Sequence, residues 1–236
     1  MKRAFIYQDE KSHKFWSIDY SGIDFAVNYG KYGTIGKYEV KEHDSNIECQ
    51  QEAEKLIRQK LKKGYVESTD FDFENRIYID DQNIGPHPKT SHPAFVEHFT
   101  ESFYYDCGDE EAPFGSDEGS DTLDILSEII RKNPRLDFLA FPQKLIEEEW
   151  GMEYIPADTV TRQDIDNLMN VKEMDMTQSD MVTYATAFAQ IKLTGKVDRQ
   201  LKEQAINALE RLKIAWEIET SEMIDKMIED LSSFAK

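Results

Sequence analysis

The apolar residues of this chain repeat with two different periods, and this change limits the possible folds more than any other feature. In residues 14–29 apolar and polar side chains alternate, which is typical of strands with one buried face. From residue 45 onward the apolar spacings are three and four, which is typical of helices packed along one side. The sequence therefore predicts an α+β chain whose sheet lies entirely in its N-terminal part.

The N-terminal part is predicted to be a small antiparallel sheet with one packed helix. Residues 14–20 and 23–29 alternate and are joined by Ser21-Gly22, which favours a β-hairpin. Shorter runs at residues 3–8 and 37–41 supply two further strands. A helical stripe follows at residues 45–63, just before a glycine suited to a helix end.

The acidic residues are concentrated in the C-terminal part. Residues 1–70 contain 12 basic and 12 acidic residues, whereas residues 71–236 contain 16 basic and 35 acidic residues and account for the whole net charge of −19. Between the two parts, prolines interrupt any helix or central strand. We therefore predict a first domain at residues 1–84, a linker at residues 85–93 and an acidic all-helical domain at residues 94–236.

Composition also indicates where in the cell the protein is found and excludes sites built from several cysteines. The apolar runs are far shorter than the ~20 residues that cross a bilayer, and the N-terminus lacks the apolar stretch of a secretory signal. Cys49 and Cys107 are too few for a disulfide scaffold or a four-cysteine zinc site. We expect a cytoplasmic protein that does not associate with a membrane.

Several local features of the first domain occur in an order that resembles the WGR domain over residues 2–66. They are the aromatic hairpin, Tyr29-Gly30-Lys31 with Gly33 and Gly36 after it, a helix containing Ala53, and Lys63-Gly64-Tyr65. The resemblance implies the sheet-and-helix fold, and in poly(ADP-ribose) polymerases this domain helps to hold damaged DNA. By position it implies that Tyr29 is the motif aromatic and Lys31 the motif cation. Lysine cannot make the two-pronged phosphate contact of the arginine that gives the motif its name.

These features lead to a hypothesis of weak, salt-dependent contact with the backbone or the end of a nucleic acid. The predicted binding residues are Tyr29, Lys31, Lys37, Lys55, Arg58 and Lys62. An alternative interpretation makes Tyr29 a core residue, because it shares its strand parity with Phe25 and Val27. The lysines would then be ordinary solvated side chains.

Residues 101–124 contain nine acidic residues and no basic one. Three interpretations compete: a Ca²⁺ or Mg²⁺ site, a catalytic acid pair, and a solvated loop that caps a helix. An EF-hand register starting at Asp117 fails, whereas Asp121 and Asp124 resemble a capping box. His87 and His92, with Cys107, match no familiar zinc spacing. We predict no bound metal and no cofactor.

No nucleophile motif or phosphate-binding loop is present, so we predict a binding protein without enzymatic activity. The rival hypothesis is a protein-interaction module whose acidic domain meets a basic partner. A metal-dependent enzyme would depend on the carboxylate cluster alone. Residues 103–106, 113–119 and 121–123 also resemble the YfeS family of uncharacterised bacterial proteins, which implies no activity.

Overall fold

The computed structural model describes residues 1–218 and 220–235. The chain divides into two compact units, Met1–Pro93 and Ala94–Lys236. Every strand among the described residues lies in the first unit and the second is helical, so the predicted α+β class is confirmed.

The first unit is an antiparallel five-stranded sheet with one helix against it. Along the sheet the strands run in the order β4-β3-β2-β1-β5. The fifth strand was not predicted, because two residues are too few to show a period. The elements are β1 (Lys2–Gln8), β2 (His13–Ser21), β3 (Asp24–Lys31), β4 (Lys37–Glu42), α1 (Asn46–Lys62) and β5 (Val66–Glu67).

The hairpin between β2 and β3 turns one residue later than predicted. Ser21 pairs with Asp24, so the turn consists of Gly22 and Ile23. Gly22 has a φ of 66°, a left-handed conformation that glycine adopts without steric cost. The later turn changes every pairing between the two strands, and it places Lys14 opposite Lys31.

The helix packs on one face of the sheet because its apolar stripe matches the alternating strand residues. Ser45 caps its first turn by accepting a hydrogen bond from the Glu48 amide at 3.2 Å. The shared core consists of Phe5, Trp16, Ile18, Phe25, Val27, Cys49, Ala53 and Ile57.

The segment after β5 covers the opposite face of the sheet. The Arg76 guanidinium lies over the ring of Phe15, 4.3 Å from its centroid, and donates to the side chain of Asn28 at 3.0 Å. Residues 85–93, predicted as the linker, are folded into this first unit, where Thr90 and His92 are buried. The sequence of residues 85–93 has no apolar period, because individual side chains such as Thr90 and His92 are buried there and no continuous apolar face is.

Asp24 ties this segment to the start of β3. Its carboxylate accepts from His87 Nε2 at 2.7 Å and from the Lys89 ammonium. Burial by itself would raise the pKa of Asp24, but Lys89 and His87 outweigh it and hold this pKa below its usual value. Asp24 is therefore charged in the folded unit at neutral pH.

We expect Asp24→Asn to destabilise the protein by about 2 kcal/mol at neutral pH, because charged hydrogen bonds are lost. A lowered pKa stabilises the fold above the unfolded value of about 4, and this stabilisation disappears as the pH falls through the folded value. Melting curves from about pH 7 to about pH 3 should therefore fall less steeply for the variant than for wild type. The exposed Asp44→Asn is the control. Parallel pH curves for wild type and Asp24→Asn would contradict the assignment.

The second unit is built from helices. They are α2 (Pro93–His98, whose first residue belongs to the first unit), α3 (Asp117–Lys132), α4 (Phe141–Lys144), α5 (Arg162–Thr194), α6 (Arg199–Ala215) and α7 (Glu222–Ser233). α5 packs against α3 and α6, and α6 packs against α7. The long α5 consists of two helical segments that meet at Lys172, where the backbone is non-helical.

A buried ion pair joins α5 to α6. Arg211 Nε donates to Asp180 Oδ2 at 2.7 Å, its Nη2 donates to Oδ1, and both side chains are fully buried. The same guanidinium donates to the carbonyls of Ile155 and Pro156 at 2.9 and 3.0 Å. One side chain therefore links two helices and an irregular segment.

The acidic stretch of residues 101–124 forms a short turn, a loop and the start of α3. The cap of α3 is Ser116, which accepts from the Gly119 amide at 3.0 Å, and not Asp121. In the described part of the chain, no three His, Cys, Asp or Glu side chains lie close enough together to hold a metal ion. None of the helices within residues 1–218 and 220–235 has the length and apolar character that a bilayer span requires.

Candidate functional site

A groove of about 650 Å³ lies at the end of the sheet of the first unit, where β2 begins and β3 ends. Four lysines line it, together with aromatic rings, and no described residue of the lining is acidic. The lining residues are Lys11, Ser12, His13, Lys14, Phe15, Tyr29, Gly30, Lys31, Lys60 and Tyr65. We call this the lysine groove.

Lys14 and Lys31 face each other across β2 and β3. They are direct partners in the strand register, so both side chains leave the sheet on the same face. Both are exposed. Like charges directly opposite each other destabilise a strand pair, and an anion bound between them would remove that cost.

Lys60 reaches the groove from the last turn of α1. Its ammonium lies over three aromatic rings, 5.1 Å from the centroid of Trp16, 5.4 Å from Tyr65 and 5.9 Å from Tyr29. Burial lowers the pKa of Lys60, and the charge of the nearby Lys63 lowers it further. The rings hold this cation at a fixed place beside the groove.

Tyr29 combines the two roles that the sequence left open. Its ring is half-buried against the core, and it also lines the lysine groove. Its hydroxyl donates to Glu39 Oε1 at 2.8 Å, which orients the ring. This hydrogen bond raises the pKa of Tyr29, so the hydroxyl remains a donor at neutral pH.

The loop after β3 is held tightly against the strands. Gly36 has a φ of 81°, and a side chain there would come within 2.6 Å of the Phe15 ring and 2.8 Å of the Tyr29 carbonyl. Only glycine fits this close approach without displacing groove residues.

The other predicted binding residues lie outside the lysine groove. Lys37 forms an ion pair with Glu39 at 2.6 Å. On α1, Lys55 pairs with Glu52 at 3.0 Å and Arg58 with Glu54 at 3.7 Å, while Lys62 is exposed. Of the six predicted residues, the structure brings only Tyr29 and Lys31 together in the groove.

Lys11, Lys14 and Lys60 line the groove but are not among the binding residues predicted from the sequence. The hairpin pattern contained the signal for Lys14, since the correct turn position pairs it with Lys31. Lys60 has no comparable signal, because its place beside the groove depends on the rings of Trp16, Tyr29 and Tyr65. Among the described residues, none of the four groove lysines forms an ion pair, in contrast to Lys37 and Lys55.

The chain is similar to several known proteins. A family model described as "WGR domain" matches residues 1–72. Uncharacterized protein YfeS of Escherichia coli (strain K12) is 51% identical over 240 residues, which cover 99% of this chain and 98% of that protein. Protein YehF of the same organism is 45% identical over 65 residues, which are 28% of this chain and 24% of YehF.

A solved structure is also similar in sequence over part of the chain. A crystal structure of a protein from Bacteroides fragilis is 32% identical, covers 56% of this chain and 39% of its own, and has a TM-score of 0.29. The chain therefore spans about two fifths of that protein, whereas it spans nearly all of YfeS.

Proposed function

Because this chain belongs to the same family as YfeS and begins with a WGR domain, we propose that it is a binding protein whose first unit contacts the phosphate backbone of a nucleic acid weakly. WGR domains are often nucleic-acid-binding. The lysine groove is the contact surface in this proposal. The observation that supports it most is the direct pairing of Lys14 with Lys31 in a groove with no acidic lining residue.

Binding to phosphates explains why lysines and aromatic residues occur together in the lysine groove. Nucleic-acid affinity comes largely from cations that replace the counterions of phosphates. Lysine ammonium groups serve as point charges, and aromatic rings can pack on sugars or bases. Salt screens charges over about 8 Å at physiological strength, so a local group of lysines can act although the whole chain carries a net charge of −19.

A salt titration of the full chain tests the proposal. Fluorescence anisotropy with a labelled duplex and a labelled single strand should show binding at low salt. The logarithm of the association constant should then fall linearly with the logarithm of the salt concentration. A slope of about −3.6 is expected for duplex DNA if all four lysines meet phosphates. Absence of binding at low salt would refute it.

We also propose that the chain acts by binding and not by catalysis. The lysine groove offers ammonium groups and aromatic rings, which are suited to holding phosphates and flat rings. Incubation of the full chain with labelled DNA and RNA, followed by electrophoresis, should return unchanged strands. Cleavage or modification of either strand would overturn this part of the proposal.

A second candidate function is supported by the charge of the other unit. Residues 94–236 contain 31 acidic and 14 basic residues, and several acidic side chains of the stretch 101–124 are exposed. Such a surface fits a basic protein partner. Salt-sensitive binding of a lysine-rich peptide, together with no affinity for nucleic acid, would favour this candidate over the first.

A further inference from the structure

Two aromatic rings are stacked at the rim of the lysine groove. His13 and Tyr32 lie parallel, with 4.2 Å between their centroids and 8° between their planes. The Tyr32 amide donates to the His13 carbonyl at 3.0 Å, which continues the pairing of β2 and β3 by one residue. The Tyr32 residue is nevertheless 45% exposed. We call this pair the aromatic platform.

The aromatic platform adjoins the cations of the groove in both strands. His13 precedes Lys14, and Tyr32 follows Lys31. Because side chains alternate along a strand, the platform projects from the opposite face of the same strand ends. A ligand that crosses the end of the sheet can therefore reach the two lysines and the platform together. A single exposed tyrosine would need no explanation, but Tyr32 is stacked on His13, which itself lines the groove, so the two rings extend the groove surface.

The loop that carries Tyr32 is fixed in place. Thr34 donates to the Lys31 carbonyl through both its amide, at 3.1 Å, and its hydroxyl, at 2.8 Å. Gly33, inside this turn, has a φ of 83°. Contact with His13 further restricts the Tyr32 ring. Little side-chain entropy is therefore lost when a partner stacks on this ring.

We propose that this surface selects a nucleic-acid strand with an unpaired base, which stacks on Tyr32 while neighbouring phosphates meet Lys14 and Lys31. The proposal rests on the proposed function of the lysine groove and extends it. Every base has a π-face, so stacking requires no particular sequence. The bases of an intact duplex are already stacked on their neighbours, and they are unavailable to the platform.

The test separates base stacking from phosphate contact. Anisotropy at low salt compares a short labelled DNA strand with an abasic strand that carries the same number of phosphates. Wild type should bind the strand with bases about tenfold more tightly than the abasic strand. Tyr32→Phe should keep this ratio, and Tyr32→Ala should bring it close to one. Trp216→Ala is the control, since this aromatic residue of the second unit is 43% exposed and should leave the ratio unchanged.

The possible outcomes distinguish the two proposals. Equal binding of the two strands by wild type, with DNA and with RNA alike, overturns the base-stacking proposal and leaves phosphate binding standing. No binding of either strand at low salt refutes the function of the groove itself. Repeating the comparison with RNA strands identifies the backbone that is used: dependence on bases in either backbone supports the platform, and its absence in both overturns it.

Discussion

Replacing Arg211 by methionine should cost about 3–5 kcal/mol of the free energy of unfolding, because it leaves the Asp180 carboxylate buried without its partner. The variant also removes the donors to the carbonyls of Ile155 and Pro156. Methionine fills similar space, so the loss reports the charge and its hydrogen bonds more than a cavity. Urea unfolding followed by helical circular dichroism measures the change.

Two further variants make this result interpretable. The double replacement Asp180→Leu with Arg211→Met should recover a large part of the loss, since it removes both charges from the interior. Arg199→Met removes a guanidinium whose side chain is exposed and paired with Glu203 on the same helix, and it should change the urea midpoint very little. An unchanged midpoint for Arg211→Met would show that the buried pair does not hold the second unit together.

The second large effect concerns binding. Replacing Lys14 and Lys31 by glutamine should weaken nucleic-acid binding about tenfold or more at low salt and reduce the magnitude of the salt slope by about 2. The same variant should melt no lower than wild type, because it relieves a like-charge pair directly across two strands. A loss of affinity without a loss of stability is the pattern expected of a binding site.

The matched control lies on α1. Lys55→Gln with Arg58→Gln changes the net charge by the same amount, but it removes cations that are already paired with Glu52 and Glu54. Its affinity should remain close to that of wild type. If the helix variant loses affinity and the strand variant does not, the helix face predicted from the sequence is the binding surface and the lysine groove is not.

The sequence predicted the fold better than the candidate site. Alternation in β2 and β3 and the stripe of α1 follow directly from burial of one face, so one sequence is enough to reveal them. The groove depends instead on which residues meet across the hairpin. Placing the turn at Ser21-Gly22 makes Ser12 the partner of Lys31, whereas the observed turn makes it Lys14. A shift of one residue in a turn was therefore sufficient to hide the main feature of the site.

Helical spacing on α1 also favours residues that lie outside the groove. Lys55, Arg58 and Lys62 are three and four residues apart, so they share one helix face and look like one surface in the sequence. The side chain that reaches the groove is Lys60, whose position depends on the three rings beneath it. Two of these rings, Trp16 and Tyr29, are far from Lys60 in the sequence, so no local spacing indicates the contact. Tyr29 and Lys31, which lie in the motif itself, are the predicted residues that line the groove.

Residues after β5 cover the far face of the sheet. This matters for expression of the N-terminal unit alone. A fragment cut at residue 72, where the family match stops, would strip Arg76 and Tyr78 from the rings of Phe15 and Tyr38. Bare aromatic surface of that kind promotes aggregation. The shortest sensible expression fragment therefore runs to Pro93 and keeps Lys89 on Asp24.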